Sequence, residues 1–133
     1  MIVVDTNVIA YLFIQGDRTA QAESTLNKDS DWSAPYLWRS EFRNILALYM
    51  RQGYLSLPDA ESITQEAEAL MKGKEYEVES ERVLRLAQSS KRSAYDCEFV
   101  ALAQELKVRL VTSDTKVLAA FPGIAVSMDA FTA

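Results

Sequence analysis

Short apolar runs alternate with longer amphipathic segments along the chain, and this alternation predicts strands separated by helices. The apolar runs predict short buried strands at residues 2–4, 32–34, 76–78, 108–112 and 124–126. Helical periodicity, with Pro and Gly at the breaks, predicts helices at residues 7–14, 35–52, 57–72, 80–90, 94–106 and 115–121. Strands that alternate with helices pair in parallel, so the expected fold class is α/β with a central, mostly parallel sheet covered on both faces.

The composition fits one globular domain that spans residues 1–133, because 49% of the residues are apolar and 25% are charged. The longest apolar run, residues 8–14, is far shorter than the roughly 20 residues that cross a bilayer. No basic segment precedes the first apolar run, so neither a secretory signal nor a membrane span is predicted. A single cysteine, Cys97, and the absence of histidine exclude a disulfide framework, a His/Cys zinc site and a Ser-His-Asp or Cys-His pair. We therefore expect a cytoplasmic protein.

The net charge of −5 argues against binding nucleic acid through an overall excess of positive charge. It does not exclude a nuclease, since bound cations would offset acids that are concentrated in a metal site. Basic residues could still form a rim around such a site: Arg39, Arg43, Arg51, Lys91, Arg92, Lys107 and Arg109.

Glu41 lies on the apolar face of its predicted helix, together with Leu37 and Ile45. Burying a charged carboxylate on such a face costs several kcal/mol unless the group is paired with a cation or binds a metal. A buried salt bridge to a Lys or Arg, or a neutral hydrogen-bonded acid, is the alternative to a metal ligand.

Asp96 repeats this anomaly on the helix predicted at residues 94–106, where it shares a face with Phe99 and Val100. Glu98 falls on the side of that helix that we predict to be solvated, so we select Asp96 for chemistry. The alternative is purely structural, because Ser93 and Asp96 have the spacing of a helix capping box.

Asp5 and Asp114 each follow a predicted strand, at the end of a parallel sheet where ligands bind. Either residue could simply cap the helix that follows it. Capping does not explain the set, in which two acids stand at strand ends and two on apolar helix faces. Four carboxylates gathered at one edge would repel one another, and divalent cations would remove that conflict.

An all-oxygen ligand set without histidine suits Mg²⁺ or Mn²⁺. Two such ions about 4 Å apart can activate water and stabilise the leaving oxygen during attack on a phosphodiester. Because no side chain with an ordinary pKa near 7 is present, metal-activated water is the expected nucleophile. The acids therefore predict metal-dependent phosphodiester hydrolysis.

At these same residues the sequence resembles the PIN-domain ribonucleases, and most closely the VapC-type toxins of bacterial and archaeal toxin–antitoxin pairs. The resemblance covers nearly the whole chain and depends on VVDTNV at 3–8, SEF at 40–42, YDCEFVALA at 95–103 and LVTSD at 110–114. It implies that catalysis and metal binding use Asp5, Glu41, Asp96 and Asp114. It implies hydrogen-bonding support from Thr6, Asn7, Thr112 and Ser113.

The resemblance further implies a three-layer α/β/α sandwich, dependence on Mg²⁺ or Mn²⁺, an RNA substrate, homodimerisation, and a cognate antitoxin protein that obstructs the site. The predicted function is that of a metal-dependent endoribonuclease, the toxin of a type II toxin–antitoxin pair. The acidic pI of about 4.8 favours a narrow, structured RNA target over tight nonspecific binding.

Two other functions remain open at the level of sequence. The first is a catalytically silent PIN-like module that binds protein or RNA without cutting it. The second is a haloacid-dehalogenase-like phosphatase, but that class needs a second aspartate two residues after the first, where this chain has Asn7. The glycines are isolated, so a Gly-rich phosphate-binding loop is not predicted.

Overall fold

The computed structural model describes residues 1–133 as a five-stranded parallel sheet with eight helices. The strands are β1 (Ile2–Val4), β2 (Trp32–Pro35), β3 (Glu75–Tyr76), β4 (Leu110–Val111) and β5 (Ala125–Val126). The helices are α1 (Thr6–Phe13), α2 (Thr19–Lys28), α3 (Leu37–Arg51), α4 (Leu57–Met71), α5 (Ser80–Ser90), α6 (Ala94–Leu106), α7 (Thr115–Ala120) and α8 (Met128–Thr132). The predicted α/β class, with helices on both faces of a parallel sheet, is confirmed.

The strand order is β3-β2-β1-β4-β5, which places β1 at the centre of the sheet. Val3 of β1 is in register with Ser33 of β2 on one side and with Leu110 of β4 on the other. The chain leaves β1 towards β2 and β3 and later returns to the opposite side of β1 to form β4 and β5. The strand order therefore reverses between β1 and β4, and in open α/β sheets the crevice at the carboxyl ends of such a pair is where ligands bind.

The larger of two buried apolar clusters contains 24 residues and joins the sheet to the helices that cover it. Trp32, Trp38, Phe42 and Phe99 are its largest aromatic members, and the rings of Trp38 and Phe42 pack edge to face with centroids 5.5 Å apart. The core thus fixes α3 and α6, the two helices that carry Glu41 and Asp96, against the sheet.

The start of α3 is also held by an ion-pair cluster around Glu75. The carboxylate of Glu75 accepts hydrogen bonds from Trp38 Nε1 at 2.8 Å and from Arg39 Nη2 at 2.8 Å. Arg39 also pairs with Glu68, at 3.3 Å. Arg39 is therefore engaged beside β3 and is not free to bind substrate as part of a basic rim.

The structure corrects the predicted helix start at residue 35. Pro35 is the last residue of β2 and is in register with Tyr76 of β3, and α3 begins at Leu37. The strand tolerates a proline here because the flanking residues, Ala34 and Tyr36, donate the N–H bonds to β3, at 3.1 Å each. Helices α2 and α8 lie where no element was predicted.

None of the eight helices has the length and apolar character that crossing a lipid bilayer requires.

Candidate active site

The four acids selected from the sequence line one cavity of about 300 Å³ beyond the carboxyl ends of β1 and β4. They come from four separate parts of the fold: the end of β1, the second turn of α3, the first turn of α6 and the start of α7. The cavity is lined by Asp5, Thr6, Asn7, Glu41, Asn44, Ile45, Asp96 and Asp114. The structure places Asp5 and Asp114 at the carboxyl ends of their strands, as the sequence predicted, and these two strands are the pair at which the strand order reverses.

Asp5 is the N-cap of α1, and hydrogen bonds fix the orientation of its carboxylate. Its Oδ1 accepts the backbone N–H of Thr6 at 2.8 Å. Its Oδ2 accepts the hydroxyl of Thr112 at 2.7 Å and, at 3.5 Å, the side-chain amide of Asn7. Thr112 is fully buried, so its hydroxyl depends on Asp5 as an acceptor, and this hydrogen bond holds the Asp5 carboxylate in place.

Asp114 caps α7, and its Oδ1 accepts the N–H groups of Lys116 at 2.8 Å and Val117 at 3.2 Å. Its own N–H donates to the Thr112 hydroxyl at 3.0 Å, so one buried threonine connects Asp5 and Asp114. Oδ2 of Asp114 makes no hydrogen bond within the chain. Asp114 therefore caps α7 with one carboxylate oxygen and keeps the other without a hydrogen bond.

Glu41 accepts the Thr6 hydroxyl on Oε1 at 2.7 Å, and no Lys or Arg lies within 4.0 Å of its carboxylate. The salt-bridge alternative is therefore wrong for Glu41.

At Asp96, the backbone N–H donates to Ser93 Oγ at 3.0 Å, but the carboxylate does not accept the N–H of Ser93 in return. The capping box is only half formed, and the Asp96 carboxylate lines the cavity with the Ser93 hydroxyl beside it.

Burial and mutual repulsion make several of these carboxylates difficult to ionise. Burial, opposed by the Thr112 hydrogen bond and reinforced by the charges of Glu41 and Asp96, raises the pKa of Asp5 to about 6. The pKa of Glu41 is raised by burial and then by Asp96. The pKa of Asp96 is raised by burial and then by Asp114. The acids therefore form a chain of like charges, which the charge of Arg92 near Asp96 offsets only in part, and no Lys or Arg lies within 4.0 Å of any of them.

The donor set fits a divalent cation that keeps much of its water. No three acidic side chains, in the positions that they take here, surround one point closely enough to hold an ion between them. Mg²⁺ does not require such a cage, because it binds through one or two carboxylates together with waters and substrate phosphates. Asp5, Glu41, Asp96 and Asp114 offer only oxygen ligands, and none of them is ion-paired.

The predicted supporting residues lie beside the acids. Asn7 Oδ1 accepts the N–H of Ser113 at 3.4 Å, which ties the start of α1 to the segment after β4. Ser113 Oγ is 3.1 Å from the hydroxyl of Tyr11, a contact that the sequence did not indicate. Thr6 and Thr112 hydrogen-bond directly to Glu41 and Asp5, respectively. These contacts hold the edge of the cavity in place.

Two residues near the cavity were not selected from the sequence. Asn44 lines the cavity and lies three residues after Glu41 on α3, so the i, i+3 spacing could have identified it. Glu98 was assigned to the solvated side of α6, and that assignment is wrong. Glu98 is half-buried, and its pKa is raised by burial and then by the charge of Glu41.

We predict that Glu41→Gln leaves the stability of the metal-free protein unchanged or raises it. The substitution removes a repelled, partly buried charge, and the glutamine oxygen can still accept the Thr6 hydroxyl. Urea unfolding in EDTA measures the change. The matched control is Glu75→Gln, which breaks the pair with Arg39 and is expected to cost about 1–3 kcal/mol. A comparable loss in Glu41→Gln would contradict the prediction and mean that the Glu41 charge stabilises the metal-free fold.

Comparison with known proteins defines the class. The PIN domain family model matches residues 2–123, and the chain belongs to the PIN domain family. Among curated proteins, the chain is similar to Ribonuclease VapC3 of Pyrobaculum aerophilum, with 28% identity over 127 residues, 92% of this chain and 96% of that protein.

Two solved structures share the fold at lower sequence identity. The crystal structure of PAE2754 from Pyrobaculum aerophilum superposes with a TM-score of 0.78 at 21% identity, covering 98% of this chain and 92% of that one. A toxin–antitoxin complex from Klebsiella pneumoniae superposes with a TM-score of 0.70 at 22% identity, covering 96% and 98%. Both support the three-layer α/β/α architecture.

Proposed function

We propose that this protein is a divalent-metal-dependent endoribonuclease in which Asp5, Glu41, Asp96 and Asp114 are the catalytic acids and metal ligands. One observation carries the proposal: four carboxylates from distant parts of the chain line one cavity with no Lys or Arg paired to any of them. Such an arrangement is unfavourable in the absence of cations, and it therefore calls for a bound ion. Membership of the PIN domain family and similarity to a protein named as a ribonuclease add support.

The chain's own residues would orient the ligands and leave space for the substrate. Thr112 and the Thr6 N–H fix Asp5, and the Thr6 hydroxyl fixes Glu41, so these two carboxylates need little reorganisation to bind an ion. Asp114 keeps one oxygen on the α7 N–H groups and directs binding to the other. When bound, Mg²⁺ or Mn²⁺ supplies the positive charge that activates water and stabilises the leaving oxygen of the phosphodiester.

The biological role that we propose is that of a toxin in a type II toxin–antitoxin pair, with a cognate antitoxin protein as its partner. The support comes from similarity to VapC3 and from the shared fold with a chain of the Klebsiella pneumoniae toxin–antitoxin complex. Homodimerisation is part of this proposal, and light scattering on the purified protein measures it.

The cleavage reaction is tested with a panel of structured RNAs incubated with Mg²⁺, Mn²⁺ or EDTA. We expect discrete cleavage products with either metal and none in EDTA, and addition of excess metal should restore activity. Cleavage that persists in EDTA would contradict the metal dependence. Sequencing of the product ends would identify the target.

A silent binding module is distinguished from an enzyme by isothermal titration of Mn²⁺ into the metal-free protein. We expect a saturable site that is weakened at least about tenfold in Asp96→Asn, because that substitution removes one ligand charge. A protein that binds RNA but shows neither Mn²⁺ binding nor cleavage would instead be a PIN-like interaction module.

A further inference from the structure

A second depression of about 600 Å³ adjoins the candidate active site across the first turns of α6. It lies between the start of α3, the end of β3 and the first turns of α5 and α6. We call it the tyrosine groove and define it by Tyr36, Tyr76, Val78, Leu84, Ala94 and Glu98. Glu98 lies two residues after Asp96 on α6, so the groove and the acid cavity lie on two sides of the first turns of this helix.

The wall of the groove presents apolar and aromatic surface to solvent. Tyr36 is 52% exposed and Leu84 is 63% exposed, which is unusual for large apolar side chains near a functional site. The backbone beneath Tyr36 is fixed, because its N–H donates to the carbonyl of Tyr76 at 3.1 Å. An exposed ring on a rigid backbone is a ready surface for stacking a planar group.

Glu98 supplies the polar group of the groove. Its carboxylate is half-buried, and none of the hydrogen bonds or ion pairs of the chain uses it. The pKa of Glu98 is raised by burial and then by the charge of Glu41, so Glu98 lines the groove while it lies near the acids. An unpartnered carboxylate in such surroundings is complementary to a ligand with hydrogen-bond donors.

We propose that the tyrosine groove binds an unpaired guanine base of the RNA substrate next to the phosphate that is cleaved, with the base stacked on Tyr36 and hydrogen-bonded to Glu98. This inference rests on the proposed ribonuclease activity for its biological meaning, but not for the binding itself. The two oxygens of the carboxylate would accept the N1–H and N2–H donors of guanine in parallel.

Guanine is the base whose Watson–Crick edge matches a carboxylate. It presents two adjacent donors, whereas adenine and cytosine present one amino donor beside a ring-nitrogen acceptor that repels an anion. Uracil presents one N–H between two carbonyl oxygens. A good bidentate contact discriminates between bases by roughly 10-fold to 100-fold, because the wrong base leaves buried polar atoms unpaired.

Binding of mononucleotides tests the groove without any cleavage. We expect the wild-type chain in Mg²⁺ to bind guanosine monophosphate about 10-fold more tightly than inosine monophosphate, which lacks the N2 amino group. The ratio should fall to about 2-fold or less in Glu98→Gln. The matched control is Glu77→Gln, which removes an exposed acid from the same groove and should preserve the ratio. Tyr36→Ala should weaken both nucleotides by a similar factor of about 10.

The second arm uses cleavable RNA in which guanines next to the cut are replaced one at a time by inosine. Replacement of the recognised guanine should slow cleavage by wild type about 10-fold and have little effect on Glu98→Gln. If mononucleotide discrimination depends on Glu98 but no RNA is cleaved, the base site stands and the proposed function fails. If RNA is cleaved and Glu98→Gln keeps the wild-type base preference, the guanine assignment is wrong.

Occupation of the groove by a second copy of the chain is the competing use of the same surface. In that case Leu84→Glu would convert the protein to a lighter species in light scattering, and guanosine monophosphate would bind only to this variant. That pair of results would overturn the proposal. With the groove open to nucleotide, the wild type itself binds guanosine monophosphate, and Leu84→Glu leaves the mass measured by light scattering unchanged.

Discussion

Replacement of Asp5 by Asn is expected to lower the rate of RNA cleavage on the order of 10²–10³-fold while the protein remains folded. The asparagine keeps an oxygen for the Thr6 N–H and can still pair with Thr112, so the cap of α1 survives. What is lost is the charge that would hold the ion at the centre of the site. Initial rates at saturating Mn²⁺, with the fold checked by circular dichroism, measure the effect.

The control for this substitution is Asp59→Asn. Asp59 is also an acid in the first turn of a helix, where it completes the capping box of α4 with Ser56, but it lies outside the acid cavity. Its replacement should leave the cleavage rate within about twofold of wild type. If Asp5→Asn retains wild-type activity, Asp5 is a structural cap and the assignment of the active site is wrong.

In the absence of divalent ions the protein is expected to be more stable at pH 5 than at pH 7.5. The pKa of Asp5 is raised from 3.8 to about 6 in the folded chain, so the folded state binds the proton more tightly than the unfolded state. The stabilisation by this proton is lost as the pH rises through about 6. For Asp5 alone the difference between pH 5 and pH 7.5 is about 1–2 kcal/mol, or roughly 3–8 °C in Tm.

The acids outside the site act in the opposite direction but in a lower pH range. The pKa values of Asp29 and Glu75 are lowered by their hydrogen-bonded cations, so their contribution is lost only as the pH falls below the ordinary carboxylate range. Thermal unfolding in EDTA between pH 4.5 and 8 therefore isolates the site. Asp5→Asn should flatten the profile, and saturating Mn²⁺ should reverse its slope. A metal-free wild-type protein that gains stability from pH 5 to pH 7.5 would contradict the prediction.

Much of the site could be predicted because its acids violate the local pattern. Asp5 and Asp114 interrupt apolar segments at strand ends, and Glu41 and Asp96 stand on otherwise apolar helix faces. The free energy of burying a charge makes such exceptions informative. The strand order and the i, i+3 companion Asn44 needed the structure, because pairing between distant strands leaves no mark on local periodicity.

The elements that escaped prediction lack the signals on which prediction depends. Helix α2 buries only Thr19, Ala22 and Thr25, which form no apolar stripe, and α8 is five residues long. Glu98 was misplaced for a related reason. A helical wheel separates the two sides of α6, but it does not show that α3 brings Glu41 close to the side that seemed free.

Asp5 and Asp114 each cap a helix, and each is also a proposed metal ligand. Capping and metal binding make different demands on the side chain at these two positions. A helix start accepts Asn or Ser almost as readily as Asp, whereas a cation needs the full negative charge. Under the proposed function, a descendant of this chain could become inert through a single substitution at either position and persist as a well-folded scaffold. Inactive members of such a lineage should be recognisable by a neutral capping residue at one or both of these strand ends.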